Sequence, residues 1–179
     1  MNTEISIRKI EPAEAEVLSA LAKQTFYDTF VGTCTDEDMN SFLEEYFNVA
    51  QIKKELEDDE SFNFFTIADG QPVGYIRFKE DYNGFAYMKK WKAIELKRLY
   101  IVKEFHGKGI AQQLMSVFMD YAIKNNYEVA WLGVWEFNFK AQSFYKKYGF
   151  EDSGYGHPFP IGNTPQTDRW YWKFLKNVQ

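Results

Sequence analysis

The sequence predicts an α/β domain built on one mixed, mostly antiparallel, twisted sheet of about seven strands flanked by helices. Three observations carry this. Apolar residues alternate with period two on both sides of Asp69-Gly70, a tight-hairpin signature. Gly109 to Asn125 carries a helical apolar stripe of Ile110, Leu114, Val117, Phe118, Tyr121 and Ala122. Val129 to Trp135 follows as an unbroken apolar run, the pattern of a strand covered on both faces.

The elements follow in order. Glu4 to Arg8 alternates Ile5 and Ile7 with polar residues and reads as a strand. Glu11-Pro12 opens a helix carrying Val17, Leu18, Leu21 and Phe26. Thr35-Asp36-Glu37-Asp38 is an acidic helix start, with Thr35 as cap, Asp38 at the third position and Met39, Phe42, Leu43, Tyr46 and Phe47 at helical spacing. A further helix spans Ala50 to Glu57. Phe62 to Ala68 and Val73 to Lys79 form the hairpin, and after an Asn83-Gly84 loop Ala93 to Ile101 forms the next strand. Asn138 to Tyr148 is a second amphipathic helix, stopped by Gly149. Strands at Glu151 to Gly156 and Thr167 to Leu175 close the chain.

The 179 residues fit one domain with one core. A net charge of −5 argues against nucleic acid as the partner, because phosphate binding wants a basic patch. Cys34 is the only cysteine, so no intramolecular disulfide can form, and no Cys/His cluster has zinc spacing. Neither a signal-peptide apolar region nor an apolar run of the roughly 20 residues a membrane helix needs is present. A cytoplasmic protein without metal is the expectation.

Leu99-Tyr100-Ile101 ends a strand, and His106-Gly107-Lys108-Gly109-Ile110-Ala111 runs straight into the long helix. The first turn of a helix has unpaired N–H groups and a positive dipole end. Glycines there let a phosphate approach the backbone. A Walker loop is absent, and a dinucleotide fingerprint would need glycine where Gln112 stands. On this loop alone, a plain glycine-rich turn is an equal reading.

The next segment adds Asn138, Ala141, Phe144, Tyr145, Gly149 and Phe150 at fixed spacing. Together the two segments resemble motifs A and B of the GCN5-related N-acetyltransferase (GNAT) superfamily. Motif A, Gln/Arg-x-x-Gly-x-Gly/Ala, is matched by His106 to Ala111, with histidine at the Gln/Arg position. Motif B, Asn-x-x-Ala-x-x-Phe-Tyr-x-x-x-Gly-Phe, is matched from Asn138 through Phe150 at every defined position. The segments Thr25 to Phe30, Thr35 to Met39, Ile161-Gly162-Asn163 and Gln166-Thr167-Asp168 are also similar to those of bacterial spermidine/spermine acetyltransferases of the PaiA type.

The resemblance implies acetyl-CoA as cosubstrate. It implies a sheet splayed into a cleft between the fourth and fifth strands. Leu99, Tyr100 and Ile101 would meet the pantetheine arm, with a bulge there freeing main-chain groups. His106, Gly107, Lys108, Gly109, Ile110 and Ala111 would hold the diphosphate, and Asn138 and Ala141 would contact the arm. The acceptor would be a small amine, a polyamine on the softer match; a protein amine, an antibiotic amine, or a module that binds acetyl-CoA without turnover are the alternatives.

Acetyl transfer from a thioester requires a deprotonated amine, a donor for the oxyanion and a proton for the departing thiolate. Tyr145 lies seven residues after Asn138, on nearly the same helix face, and becomes the candidate general acid if that face looks toward the cofactor. Without the motif it would read as a packing residue beside Phe144 and Tyr148. Glu95, Lys97 and Leu99 share one strand face by alternation, so Glu95 is the candidate base, against a structural carboxylate or a water chain. Cys34 reads as a bland cysteine, the acidic run Glu55 to Glu60 as a solvated helix end, and His157 as a loop residue without assigned role. Trp170, Tyr171 and Trp172 form an aromatic set that, if exposed, would serve a homodimer contact.

Overall fold

The computed structural model describes residues 4–176. Asp69 (φ 48°) and Gly70 (φ 79°) both take the left-handed conformation, which matches the twist of a two-residue hairpin joining β2 (Ser61–Ala68) to β3 (Gln71–Lys79). β1 (Ile5–Lys9) pairs antiparallel with β2, and β4 (Ala93–Ile101) antiparallel with β3. β5 (Val129–Trp135) runs parallel to β4, and β7 (Thr167–Phe174) and β6 (Glu151–Pro158) add antiparallel beyond it. The seven-stranded order is β1-β2-β3-β4-β5-β7-β6. This is the mixed, mostly antiparallel sheet of seven strands that the sequence led us to expect.

Helices cover both faces. α1 (Ala15–Phe30), α2 (Asp36–Tyr46) and α3 (Val49–Leu56) bury Leu18, Phe26, Phe42 and Ile52 against Phe65 and Tyr75. α4 (Ile110–Lys124) buries Ile110, Leu114, Phe118 and Ala122 against Ile76, Phe78, Ile94 and Leu132. α5 (Phe139–Lys147) joins that second core through Tyr145. The predicted strands at 93–101 and 129–135 have their observed bounds.

Several expectations need correction. Val17 is 46% exposed, because the stripe of α1 turns on Leu18, Leu21 and Phe26. Thr35 does cap α2, accepting from Asp38 N at 3.1 Å, but the Asp38 carboxylate leaves the helix to hold a distant loop. Glu55 is not solvated: it is buried, bonded bidentately by Arg98 (2.6 and 3.1 Å) with Arg77 at 3.4 Å. Burial works against its charge, and the two guanidiniums outweigh it, holding the carboxyl below its ordinary range. His157 lies in β6 rather than in a loop, stacked on the Trp170 ring at 4.0 Å. Trp170 and Tyr171 are buried and only Trp172 of the aromatic set is half-exposed, so the first two are core residues rather than surface ones. Trp170 packs over Gly133, where a side chain would meet its ring at 2.8 Å.

Candidate active site

β4 and β5 pair only from Ala93 to Leu96 with Val129 to Leu132. Beyond this the strands part, and among the described residues the β5-side edge of β4 from Lys97 to Ile101 has no strand partner. β4 stays bound to β3 as far as Ile101, and β5 to β7 as far as Trp135, so the V-shaped opening is held from both sides. Two cavities meet in it. One, of about 470 Å³, lies between the end of β4, the 101–109 loop, the head of α4 and α5. The other, of about 430 Å³, lies under α1 and α2 and reaches β7. Leu99, Tyr100, Trp135, Asn138, Ala141 and Tyr145 border both.

The first cavity gathers nearly all the residues predicted to hold the cofactor: Leu99, Tyr100, Ile101, His106, Gly107, Gly109, Ile110, Ala111, Asn138 and Ala141. Gly107 (φ 77°) and Gly109 (φ 79°) are both left-handed, and Gly109 is the cap residue of α4. This conformation favours glycine, and neither position has an atom near where a Cβ would stand. Among the described residues, the main-chain N–H groups of 107–112 donate to no carbonyl, leaving a nest of donors with the helix dipole behind it. Lys108 lies outside this lining; its ammonium sits 4.2 Å from the Phe105 ring centroid.

His106 does something the sequence did not reveal. Its Nε2 is 2.8 Å from Ile101 O, and its Nδ1 is 3.3 Å from Lys140 Nζ. An ammonium only donates, so the consistent tautomer carries the ring proton on Nε2, which donates to the carbonyl. The histidine thereby ties the glycine loop to the end of β4 and brings Lys140, from the first turn of α5, to the groove. Lys140 was missed because a lysine at a helix start carries no motif of its own.

Motif B is a helix written from cap to cap. Asn138 Oδ1 accepts from Ala141 N at 3.1 Å, closing the start of α5. At the other end Phe150 N donates to Tyr145 O (3.1 Å) and Gly149 N to Lys146 O (3.0 Å), with Gly149 at φ 79°. This is a Schellman stop, and the usual apolar contact across it is Tyr145 against Phe150, ring centroids 6.1 Å apart. The same spacing that ends the helix therefore fixes the ring of Tyr145. Burial raises its phenol pKa, keeping the proton on at neutral pH.

β4 contains the bulge the resemblance implied, but earlier than Tyr100 or Ile101. Arg77 pairs with Arg98 and Phe78 with Leu96, so Lys97 is the extra residue. The bulge breaks alternation: Ile94 and Leu96 share a core with Leu99 and Ile101, while Tyr100 faces the α1–α3 side. Glu95 and Leu99 therefore do not share a face. Glu95 is buried, with Lys97 Nζ 2.5 Å from its Oε2, and Lys97 rather than Glu95 borders the second cavity. Burial, only partly opposed by Lys97, pushes the Glu95 carboxyl up to about 7.

Sequence reasoning passed over the carboxylate that does border that cavity. Asp168 sits on β7 opposite Trp135 of β5, and its Oδ2 lies 3.1 Å from where a Gly133 side chain would begin. Among the described residues nothing donates to its carboxylate, and burial pushes the group up to about 7. Asp38 is the other newcomer. It accepts from Asn163 N (2.9 Å) and Thr164 Oγ1 (2.6 Å), locking the 159–164 loop onto α2. Thr35 to Met39 and Ile161 to Asn163, which look unrelated in sequence, are thus two halves of one contact beside the second cavity. Cys34 borders neither cavity, and burial raises its thiol pKa. Among the described residues no group of three or more His, Cys, Asp or Glu could hold a metal, and no helix is long and apolar enough to cross a membrane.

The profile of the Acetyltransferase (GNAT) family matches residues 22–150. The chain is 30% identical over 166 residues to an uncharacterized N-acetyltransferase of the pepI 3′ region of Lactobacillus delbrueckii subsp. lactis, covering 93% of this chain and 95% of that one. In fold it is similar to the PaiA N-acetyltransferase of Thermoplasma acidophilum, solved in complex with coenzyme A (TM-score 0.78, 23% identity, 96% of this chain and 99% of that one). It is also similar in fold to a probable acetyltransferase of Staphylococcus epidermidis (TM-score 0.75, 17% identity, 97% and 100% covered). The family and its N-acetyltransferase relatives make the chain an acetyltransferase enzyme. The chain belongs to the GNAT family.

Proposed function

We propose that the chain moves the acetyl group of acetyl-CoA to a small primary amine by direct attack on the thioester. The observation that carries this is the nest of open N–H groups at 107–112, joined through one cleft to a buried, protonated Tyr145. The groove fits the cosubstrate chemically: unpaired amides and the Lys103 and Lys140 ammonium groups suit a diphosphate, and Asn138 with the open edge of β4 suits an amide-bearing arm. When bound, acetyl-CoA supplies the activated acyl carbon. His106 braces the loop, the β4 main chain orients the arm and donates to the oxyanion, and Tyr145 gives its proton to the departing sulfur.

The melting temperature should rise with acetyl-CoA and with CoA, and stay unchanged with ATP and NADH. Free thiol should then appear only when acetyl-CoA and an amine are both present. A rise with ATP or NADH alone, or acetyl-CoA binding without thiol release for any amine, would defeat this reading; the second outcome would leave a module that binds without turnover.

A further inference from the structure

The second cavity has a composition that the transfer chemistry does not require. One wall is aromatic: Phe26, Phe30 and Phe42 from α1 and α2, Phe47 after α2, Trp135 from β5 and Phe159 from the locked loop. Phe26 stacks on Phe30 and Phe42 at 4.5 and 4.7 Å, and Phe159 closes edge-on to Phe42 at 5.6 Å, so the wall is packed and continuous. The loop carrying Phe159 is held by Asp38. Asp168 is the only carboxylate bordering the cavity among the described residues. The two cations bordering it are already matched: Lys97 lies 2.5 Å from Glu95 and 2.7 Å from Asp81, and Arg98 is held by Glu55.

We propose that the acceptor is a primary monoamine on an apolar aromatic or alkyl body, with Asp168 receiving its ammonium and taking its proton. This rests on the transferase reading and names its substrate class. One ammonium finds one carboxylate, next to the parted strands where the thioester would lie. The remainder of the molecule lies against rings. A polyamine would bring further ammonium groups to a wall that offers them no carboxylate. A phenyl face returns less to a cation than is needed to desolvate it. The sum therefore excludes a polycation and accepts an apolar chain.

The step balances. The ammonium proton passes to the Asp168 carboxylate, and the freed lone pair forms the C–N bond as the C–S bond breaks. The sulfur takes the Tyr145 proton, the tyrosinate takes the second proton from nitrogen, and the Asp168 proton leaves to solvent. The titratable and charged groups around the cavity are Lys97, Arg98 and Tyr100 of β4, Tyr46 of α2 and Tyr145 of α5. His157 is the register partner of Asp168 on β6. β5 contributes Gly133 and Trp135, which do not titrate. Burial holds Asp168 near 7, between an ordinary carboxylate and the amine it must deprotonate, where a base works at neutral pH.

The test is thiol release from acetyl-CoA against pH, with phenethylamine, hexylamine and spermidine, for wild type and Asp168→Asn. Both monoamines should exceed spermidine in kcat/KM by at least about tenfold, as the loss of one paired ion implies. Wild-type kcat/KM should rise with pH through a limb near 7. Asp168→Asn should lose that limb and about 100-fold in kcat/KM, while calorimetry gives an unchanged acetyl-CoA affinity. A preference for spermidine overturns the proposal. So does a limb that survives in Asp168→Asn, one that vanishes in Glu95→Gln, or one at the free amine's own pKa. A folded Asp168→Asn is checked by its melting temperature. If it fails to fold, the wild-type amine preference and limb decide alone. Thiol release with no amine at all defeats the transferase reading instead.

Discussion

Tyr145→Phe is expected to lower turnover by about 10²–10⁴-fold, the usual worth of a positioned general acid. Acetyl-CoA affinity and melting temperature should stay nearly unchanged. The separation follows from the Schellman stop. The ring packs against Phe150 and Phe144, and phenylalanine keeps those contacts. Among the described residues the hydroxyl makes no hydrogen bond whose loss would loosen α5. Steady-state kinetics beside binding calorimetry checks both halves. Full turnover in the variant would remove Tyr145 from its assigned role, and lost cofactor affinity would make it a packing residue.

Glu55→Ala is expected to cost about 3–5 kcal/mol of stability, because it strands two buried guanidiniums. Urea unfolding measures this. The pH dependence has a definite sign. The folded carboxyl is depressed below its unfolded value of 4.5, so its contribution is complete above that pH and lost as pH falls through the folded value. Wild-type stability should therefore drop on acidification below about 4.5, and Glu55→Ala should flatten that part of the profile. The same trio steadies the cleft, since Arg98 borders the acceptor cavity from β4.

Those two residues mark what the sequence does and does not reveal. The placement of Tyr145, though not its role, was legible because its neighbours are local: the cap at Asn138, the stop at Gly149 and the contact at Phe150 lie within one helix and its ends. Strands 93–101 and 129–135 were legible for the same reason, each carrying its burial pattern in its own residues. Glu55 sat in a run that reads as solvated, and only the arrival of Arg77 and Arg98 from β3 and β4 buries it. Glu95 was placed by strict alternation, which one extra residue at Lys97 reverses. Asp168 stands in a strand of ordinary composition, and its position over Gly133 is a matter of β5–β7 register. Trp170 and Tyr171 look exposed near a chain end, yet β7 runs between β5 and β6 inside the sheet. For Glu55, Asp168 and the Trp170-Tyr171 pair the deciding partner lies on another strand.

Binding at the α4 head is the foundation of every role assigned above. The direct measurement is calorimetric titration of acetyl-CoA into wild type and Gly109→Val. A β-branched residue opposes the left-handed backbone that Gly109 holds at φ 79°, by about 1–2 kcal/mol. The position is otherwise open, so the substitution turns the amides without creating a clash. The expected result is a roughly tenfold or greater loss of affinity, with the fold retained by circular dichroism. Equal affinity in the two proteins would mean that the diphosphate lies elsewhere, and the account of the cleft would fall with it.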